Sequence, residues 1–360
     1  FERGGVEENI KNLINNFRKK INIHLVSSLS KSDAKKFFKK KLKIYEVKKS
    51  KLLSFLPSRI NSALSSMFIL FSLTLKLNKK NLIVHSMQSN IAAIFICLIN
   101  NIKIVIRNSE DPIYSTYYSE NYISSYIIFF LKIVFYNLCS CIVTNSIGSK
   151  NSLKKFVFNK EKIKTIYNPY LKKINYKKYK KENIIINVGR FRKQKNQMLL
   201  IKAFYKFSQE YKNYKLLLVG DGVLKQKLKN EIDSLKLNKK ILITGWTFKT
   251  TNYIRKSKLF VLSSLYEGLG NVLIDAINYN VPCISTNCKS GPNEILLNGR
   301  GGFLVKNNNT LELYKKMVFC IKNYNLSLKK NKISKQFLGR FLMSKQVKKY
   351  ENLLIKFENK

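Results

Sequence analysis

Acidic side chains are scarce in this 360-residue chain: 20 Asp and Glu stand against 68 Lys and Arg, a formal net charge of +48. Arginine is scarce too, with 9 against 59 Lys. Proteins that read phosphates and base edges lean on the planar Arg fork, so this imbalance argues against nucleic acid as a partner. The spread of the charge argues the same way. Residues 1–180 carry 33 basic and 9 acidic side chains, and residues 181–360 carry 35 and 11, a net +24 in each half. A dedicated nucleic-acid protein gathers its charge on one patch or arm. Two readings stay open. One is a codon bias that also enriches Asn, Ile, Tyr and Phe and makes solvated faces Lys-rich. The other is attraction to an anionic membrane surface.

Histidine is limited to His24 and His85, and no two of the six Cys have CxxC spacing, so no metal site is expected. The cysteines (97, 139, 141, 283, 288 and 320) read as small buried hydrophobes in a reducing compartment. A bridge between Cys139 and Cys141 would be strained. Long uncharged apolar runs are missing as well. Residues 63–77 are too short and Ser-rich to span a bilayer. Residues 125–143 carry Lys132 mid-run and read as a helix entering a buried strand, with a membrane span or an in-plane membrane segment as the alternative. No secretory leader is seen. The chain begins Phe1-Glu2-Arg3-Gly4-Gly5 without Met, which reads as a truncated N-terminus. With 45% apolar and 24% charged residues the composition is globular, and the length suits two domains.

Short β-branched runs at 21–28, 81–87, 102–109, 141–146 and 162–170 alternate with helical spacing, for example at 8–19 and 89–100. This is the pattern of βαβ units and a parallel sheet. It predicts a first Rossmann-like domain over 1–170. Residues 171–183 are basic, Tyr-rich and poor in aliphatics, and are expected to be a solvated linker. Strand-like runs resume at 184–189, 216–222, 241–246, 259–264, 283–286 and 303–305, predicting a second doubly wound α/β domain over 184–332. The remainder, 333–360, has helical spacing and is expected to pack back on the first domain.

Three constellations carry chemistry. The first is 263–305, where a buried strand ends at Ser263-Ser264 and Glu267-Gly268-Leu269-Gly270-Asn271 leads into a helix. Such a strand–loop–helix turn offers backbone N–H groups and a positive helix end to an anion. Glu267 can accept hydrogen bonds from hydroxyls. Asp275 lies eight positions on, two helical turns away and roughly on the same face. Taken singly, Glu267 also reads as an exposed loop acid and Asp275 as an exposed helix acid. The second constellation is GRFRKQKN (189–196), in which Arg190 and Lys195 sit at a strand's carboxyl end. Cations placed there suit a diphosphate leaving group, although any one cation in so basic a chain can be a solvated surface residue. The third is Gly220-Asp221-Gly222 with Gly245-Trp246, both after strands. They allow close backbone approach at a nucleotide, or are simply turns with packing.

Together these residues resemble glycosyltransferase family 4, with its GT-B fold of two Rossmann-like domains facing a cleft. The resemblance covers nearly the whole chain. It rests on GGVEE (4–8), YNP (167–169), GRFRKQKN, VGDG (219–222), Gly245-Trp246, YEGLGNVLIDA (266–276) and STNCKSGPNEIL (285–296). The branch it resembles builds bacterial surface polysaccharides. The resemblance implies a retaining transferase of hexosyl or N-acetylhexosaminyl type. Its donor would be a nucleotide-diphospho-sugar, expected to be UDP-linked, and its acceptor a glycan or polyprenyl-linked glycan. No metal or other cofactor would be required. Work in the cytoplasm, peripheral on the inner membrane face, would follow. Glu267, Arg190 and Lys195 would be catalytic. Asp275, Gly245, Trp246, Gly268, Leu269, Gly270, Asn271, Gly4 and Gly5 would hold the donor. Two departures stand out: Asp275 replaces the family's second Glu, and Arg107-Asn108-Ser109-Glu110 lacks the His many members carry, leaving Glu110 as a candidate acceptor contact. A nonenzymatic nucleotide-sugar-binding relative and a GT-B epimerase are the alternatives.

Overall fold

The computed structural model describes residues 5–18, 21–40, 42–51, 54–55 and 58–358. The chain forms two compact units, one from residues 1–145, 150–170 and 342–360, the other from 146–149 and 171–341.

In the first unit β1 (His24–Ser27) and β2 (Lys43–Glu46) make a parallel pair. A four-stranded parallel sheet follows, made of β3 (Ile83–Ser86), β4 (Lys103–Asn108), β5 (Cys141–Thr144) and β6 (Ile163–Thr165) in chain order. Its central strands are apolar at successive positions because both faces are covered. Ile104, Ile106 and Ile142 pack on the side of helices Asn90–Ile99 and Tyr122–Leu138. Val105, Cys141 and Val143 point to the other side, against Leu13, Phe17, Met343, Val347 and Tyr350. The period of two in β4 thus fills two cores from one strand. As the sequence pattern implies, helix Tyr122–Leu138 runs into β5. Among the described residues no helix is long and apolar enough to cross a membrane.

The second unit holds a six-stranded parallel sheet: β7 (Glu182–Val188), β8 (Lys215–Val219), β9 (Ile241–Gly245), β10 (Ser257–Leu262), β11 (Cys283–Thr286) and β12 (Phe303–Val305). Their spatial order is β12-β11-β10-β7-β8-β9. The first strand of the unit therefore lies in the middle, and the boundary between β7 and β10 is the point where the winding reverses. Ligands of doubly wound sheets bind outside the carboxyl ends at that point. Helices Gln197–Glu210 and Thr310–Lys322 pack against each other over the sheet, burying Leu200, Phe204, Phe207, Leu313 and Met317.

Residues 171–183 are mostly exposed coil up to the start of β7, as a linker would be, and are pinned at a few points. Leu171 is buried, Lys181 Nζ donates to the carbonyls of Arg255 (2.9 Å) and Tyr279 (3.0 Å), and the Asn175 amide donates to Asn278. Burial lowers the Lys181 pKa to about 8. The terminal stretch is not one helix. It is Tyr324–Gln336, a tight turn Leu338–Phe341 around Gly339, and Met343–Glu358, glycine being a poor helix former. The last helix gives Met343, Val347 and Tyr350 to the core of the first unit.

All six cysteines are buried free thiols. Burial raises the pKa of Cys97, Cys139, Cys288 and Cys320 to about 12 each, so none is a ready nucleophile.

Candidate donor site at the switch point of the second unit

β7 runs out at Val188 into Gly189, Arg190 and a short turn Lys193–Lys195. β10 runs out at Leu262 into Ser263, Ser264 and the loop before helix Asn271–Asn278. The two loops are sewn together across the switch point. The Leu265 amide donates to the Gln194 carbonyl (2.8 Å), Gln194 Nε2 to the Tyr266 carbonyl (3.1 Å), and Ser263 Oγ to the Lys195 carbonyl (2.9 Å). At the centre Lys195 Nζ donates to Glu267 Oε1 at 2.5 Å, and Ser264 Oγ donates to the same oxygen at 2.7 Å. The side chains are 18% and 6% exposed, so this is a nearly desolvated ion pair. The Lys195 stem lies along Gly189, within 3.4–3.5 Å of where a Cβ would stand.

Glu267 is therefore not an exposed loop acid, and Asp275, also buried, is not an exposed helix acid. The two-turn spacing fails for a different reason. The helix begins only at Asn271, so half of the eight-residue interval is loop, and Asp275 stands one turn into the helix. Gly270 caps that helix at φ +86° without a side-chain acceptor, which leaves its first turn to be satisfied by other groups. Gly268 and Leu269 are buried beside it, and Asn271 is half-buried.

A third loop presses in from β11. Thr286 Oγ1 donates to the Ser264 carbonyl (2.5 Å), and Cys288 Sγ to the same oxygen (3.2 Å). Gly291 lies so close to Leu269 that a Cβ would stand 2.3 Å from its carbonyl oxygen, at φ +79°. This is why Ser-Gly-Pro follows the β11 loop. On the opposite side, Gly220 at the end of β8 lies under Gly189, where a Cβ would meet the Gly189 oxygen at 2.0 Å, and its amide donates to Gly245 (3.0 Å). Asp221 serves the turn itself, accepting from Lys225 Nζ and the Gly222 amide, which lowers its pKa. Gly245 is half-buried at φ +76°, and Trp246 meets Phe248 edge-on with ring centroids 4.1 Å apart. Arg190 is half-buried at the end of β7, and its carbonyl accepts from Gln197 Nε2 (3.2 Å).

Arg190, Lys195, Glu267, Gly268, Leu269, Gly270, Asn271 and Asp275 thus share the carboxyl edges of β7 and β10. Gly245 and Trp246 end the edge strand β9. Sequence reasoning missed the supporting shell of Gln194, Ser264, Thr286 and Cys288. Its signal was the run of small polar residues directly after two buried strands. Among the described residues no three His, Cys, Asp or Glu gather to hold a metal.

In the first unit, Gly4 lies outside the described residues, and Gly5 is not in a loop but opens helix Gly5–Asn16. Arg107 is buried at the end of β4. Its Nη2 donates to Asn168 of the YNP segment (2.5 Å), and its guanidinium lies 5.5 Å over the Tyr350 ring. Burial lowers its pKa to about 9. His85 stacks on the same Tyr350 with its Nδ1 3.2 Å from the Val105 carbonyl, so it packs. Burial first and Arg107 second lower its pKa to about 4. Glu110 is exposed.

Residues 171–337 match the family model Glycosyl transferases group 1. An uncharacterised glycosyltransferase of Methanocaldococcus jannaschii is 33% identical over 234 residues, 59% of this chain and 57% of the relative. The 4-alpha-N-acetylgalactosaminyltransferase of Campylobacter jejuni that acts on N-acetylgalactosamine-N,N'-diacetylbacillosaminyl-diphospho-undecaprenol is 31% identical over 221 residues, 60% of this chain and 59% of that one. The chain thus spans less than two thirds of the length of these curated relatives. Among solved structures, HepE of Anabaena in complex with UDP-glucose superposes with a TM-score of 0.79 over 99% of this chain and 97% of that one, at 15% identity. At that identity the likeness speaks for the fold, the two Rossmann-like α/β domains of the GT-B class. It is the second unit, residues 171–337, that is similar to the glycosyl transferases group 1 family.

Proposed function

We propose that the chain is a retaining glycosyltransferase that moves a sugar from a nucleotide-diphospho-sugar to a lipid-linked glycan during surface-polysaccharide synthesis. The observation that carries this reading is the Lys195–Glu267 pair, held across the switch point beside the start of helix Asn271–Asn278. Glycosyl transfer must stabilise the charge that gathers on the departing diphosphate. Arg190, Lys195 and the Gly270–Asn271 helix start supply fixed positive potential where that charge would develop. Glu267 is pre-set by Ser264 and Lys195 to accept hydrogen bonds from sugar hydroxyls. In this reading Asp275 takes the ribose side, Gly245 and Trp246 flank the nucleotide, and Gly268 and Leu269 form the floor of the phosphate loop. UDP is the expected carrier, because UDP-glucose is what the Anabaena neighbour holds. The first unit would serve the acceptor. Catalysis at the inner face of the membrane follows from a polyprenyl-linked acceptor.

Binding is tested by screening nucleotides and nucleotide-sugars for protection against thermal unfolding, since a ligand held only by the folded state raises Tm by mass action. UDP and one or two UDP-sugars should raise Tm, and the effect should weaken in Lys195→Ala. No response to any nucleotide-sugar would overturn the donor site. Incubation with the active donor and a lipid-linked glycan should release free nucleoside diphosphate and give an extended glycan that keeps the donor's anomeric configuration. A donor that is bound and never turned over would favour the nonenzymatic reading.

A further inference from the structure

The first unit carries three helices whose apolar stripes point away from the protein. Helix Tyr122–Leu138 presents Ile123 (78% exposed), Tyr126, Ile127, Phe130 (64%), Val134 and Leu138 on one side. These positions recur at three and four residues, so they form a single face. Its one charged residue, Lys132, is turned inward, where burial lowers its pKa. A water-facing helix does the reverse, hiding its apolar stripe and showing its charges. Helix Asn90–Ile99 packs beside it, with Phe95 meeting Phe135 edge-on at 6.5 Å, and exposes Phe95, Leu98 and Ile99. Helix Ser58–Lys76 packs against that one in turn and exposes Phe68 (70%) and Leu75.

Charge decides what covers this face. The three helices contain no Asp or Glu. Lys79 and Lys80 are exposed just past helix Ser58–Lys76. Next to helix Tyr122–Leu138, the loop at Phe156–Phe158 docks through Phe156 on Phe129 and through the Phe158 amide on Asn137. It exposes Phe158 (83%) between the exposed Lys154, Lys155 and Lys160. Two copies of so basic a face repel each other. A bilayer with anionic headgroups offers both the apolar layer and the opposite charge.

We infer that helices Ser58–Lys76, Asn90–Ile99 and Tyr122–Leu138, with the Phe158 loop, form a surface that lies in the interface of an anionic lipid bilayer. Ile123, Ile127 and Phe130 sit among the acyl chains, and the flanking lysines sit at headgroup level. This deepens the proposed function, on whose lipid-linked acceptor the purpose of the surface rests. The two fail separately, because protection by nucleotide-sugars is measured without lipid.

The test uses the whole chain with sedimented vesicles of phosphatidylcholine, alone or with phosphatidylglycerol. The wild type should bind the anionic vesicles at least tenfold better than the neutral ones, with an advantage that shrinks as salt rises. Ile123→Glu/Phe130→Glu should bind anionic vesicles at least tenfold more weakly. Both positions are exposed, so its Tm and its response to nucleotide-sugars should match the wild type. Lys154→Gln/Lys155→Gln should weaken binding and flatten the salt dependence. Equal vesicle binding by the Glu variant and the wild type would overturn the inference. So would a wild type that ignores both kinds of vesicle, or one that is a dimer by light scattering and becomes a monomer on the Glu substitutions.

Discussion

Lys195 and Glu267 depend on each other before any ligand arrives. Removing one partner of a desolvated ion pair leaves the other charge buried without compensation, at a cost on the order of 3 kcal/mol. Lys195→Ala should therefore lower Tm as well as turnover, and the fall in turnover should be about 10²-fold or more, the scale of one lost transition-state contact. The two effects separate in Lys195→Met/Glu267→Gln. That double variant removes both charges and should recover most of the stability while remaining inactive. Recovery of activity along with stability would mean that the pair is only a strut. His85 gives a second prediction at this scale. Its ring binds a proton at a pKa near 6.5 in the unfolded chain and about 4 in the folded one. Between those values the unfolded state holds more protons, so stability is full above pH 6.5 and falls as the pH drops towards 4. The loss amounts to up to about 3 kcal/mol. His85→Phe keeps a ring against Tyr350 and should flatten the stability profile between pH 6.5 and 4. An unchanged slope in chemical denaturation would refute the assignment.

At the scale of elements, the candidate donor site is a meeting of loops, and glycine sets how closely they meet. Gly291→Ala would put a methyl group 2.3 Å from the Leu269 carbonyl oxygen and force a positive φ on alanine. The backbone term alone, at φ +79° and ψ −73°, costs on the order of 1–3 kcal/mol. The variant should lose at least that much stability and should also bind nucleotide-sugar more weakly, because Leu269 belongs to the loop that precedes Gly270. Normal affinity in a destabilised Gly291→Ala would uncouple the two loops. The elements that meet here were legible in the sequence because β7, β8 and β10 are short and apolar, and each runs straight into glycine or serine. What was not legible follows from contacts between distant residues. The Lys195–Glu267 pair joins positions 72 apart. Nothing local in residues 171–183 reveals that Lys181 finds two carbonyls, and β2 is too short and too charged for its periodicity to stand out. The break in the terminal stretch at Gly339 was visible only as irregular spacing, and Asp275 was misjudged because helical spacing was carried across a loop.

At the scale of the whole molecule, the net charge of +48 has two parts. Arg190 and Lys195 stand at the carboxyl end of β7, where the proposed function puts the departing diphosphate. A larger set of lysines, among them Lys79, Lys80, Lys154, Lys155 and Lys160, borders an apolar face free of acids. The first part predicts nucleotide-sugar affinity, and the second predicts salt-sensitive attachment to anionic lipid. The fold supplies both from Rossmann-like units: the second through the switch point of its sheet, and the first through helices that turn their apolar sides outward. The transfer reaction itself tests the proposed function most directly. Purified wild type should convert a nucleotide-sugar and a lipid-linked glycan into nucleoside diphosphate and extended glycan with retained anomeric configuration, and Arg190→Ala and Lys195→Ala should each do so about 10²-fold more slowly or worse. Near-normal transfer by both variants, or a product of inverted configuration, would contradict it.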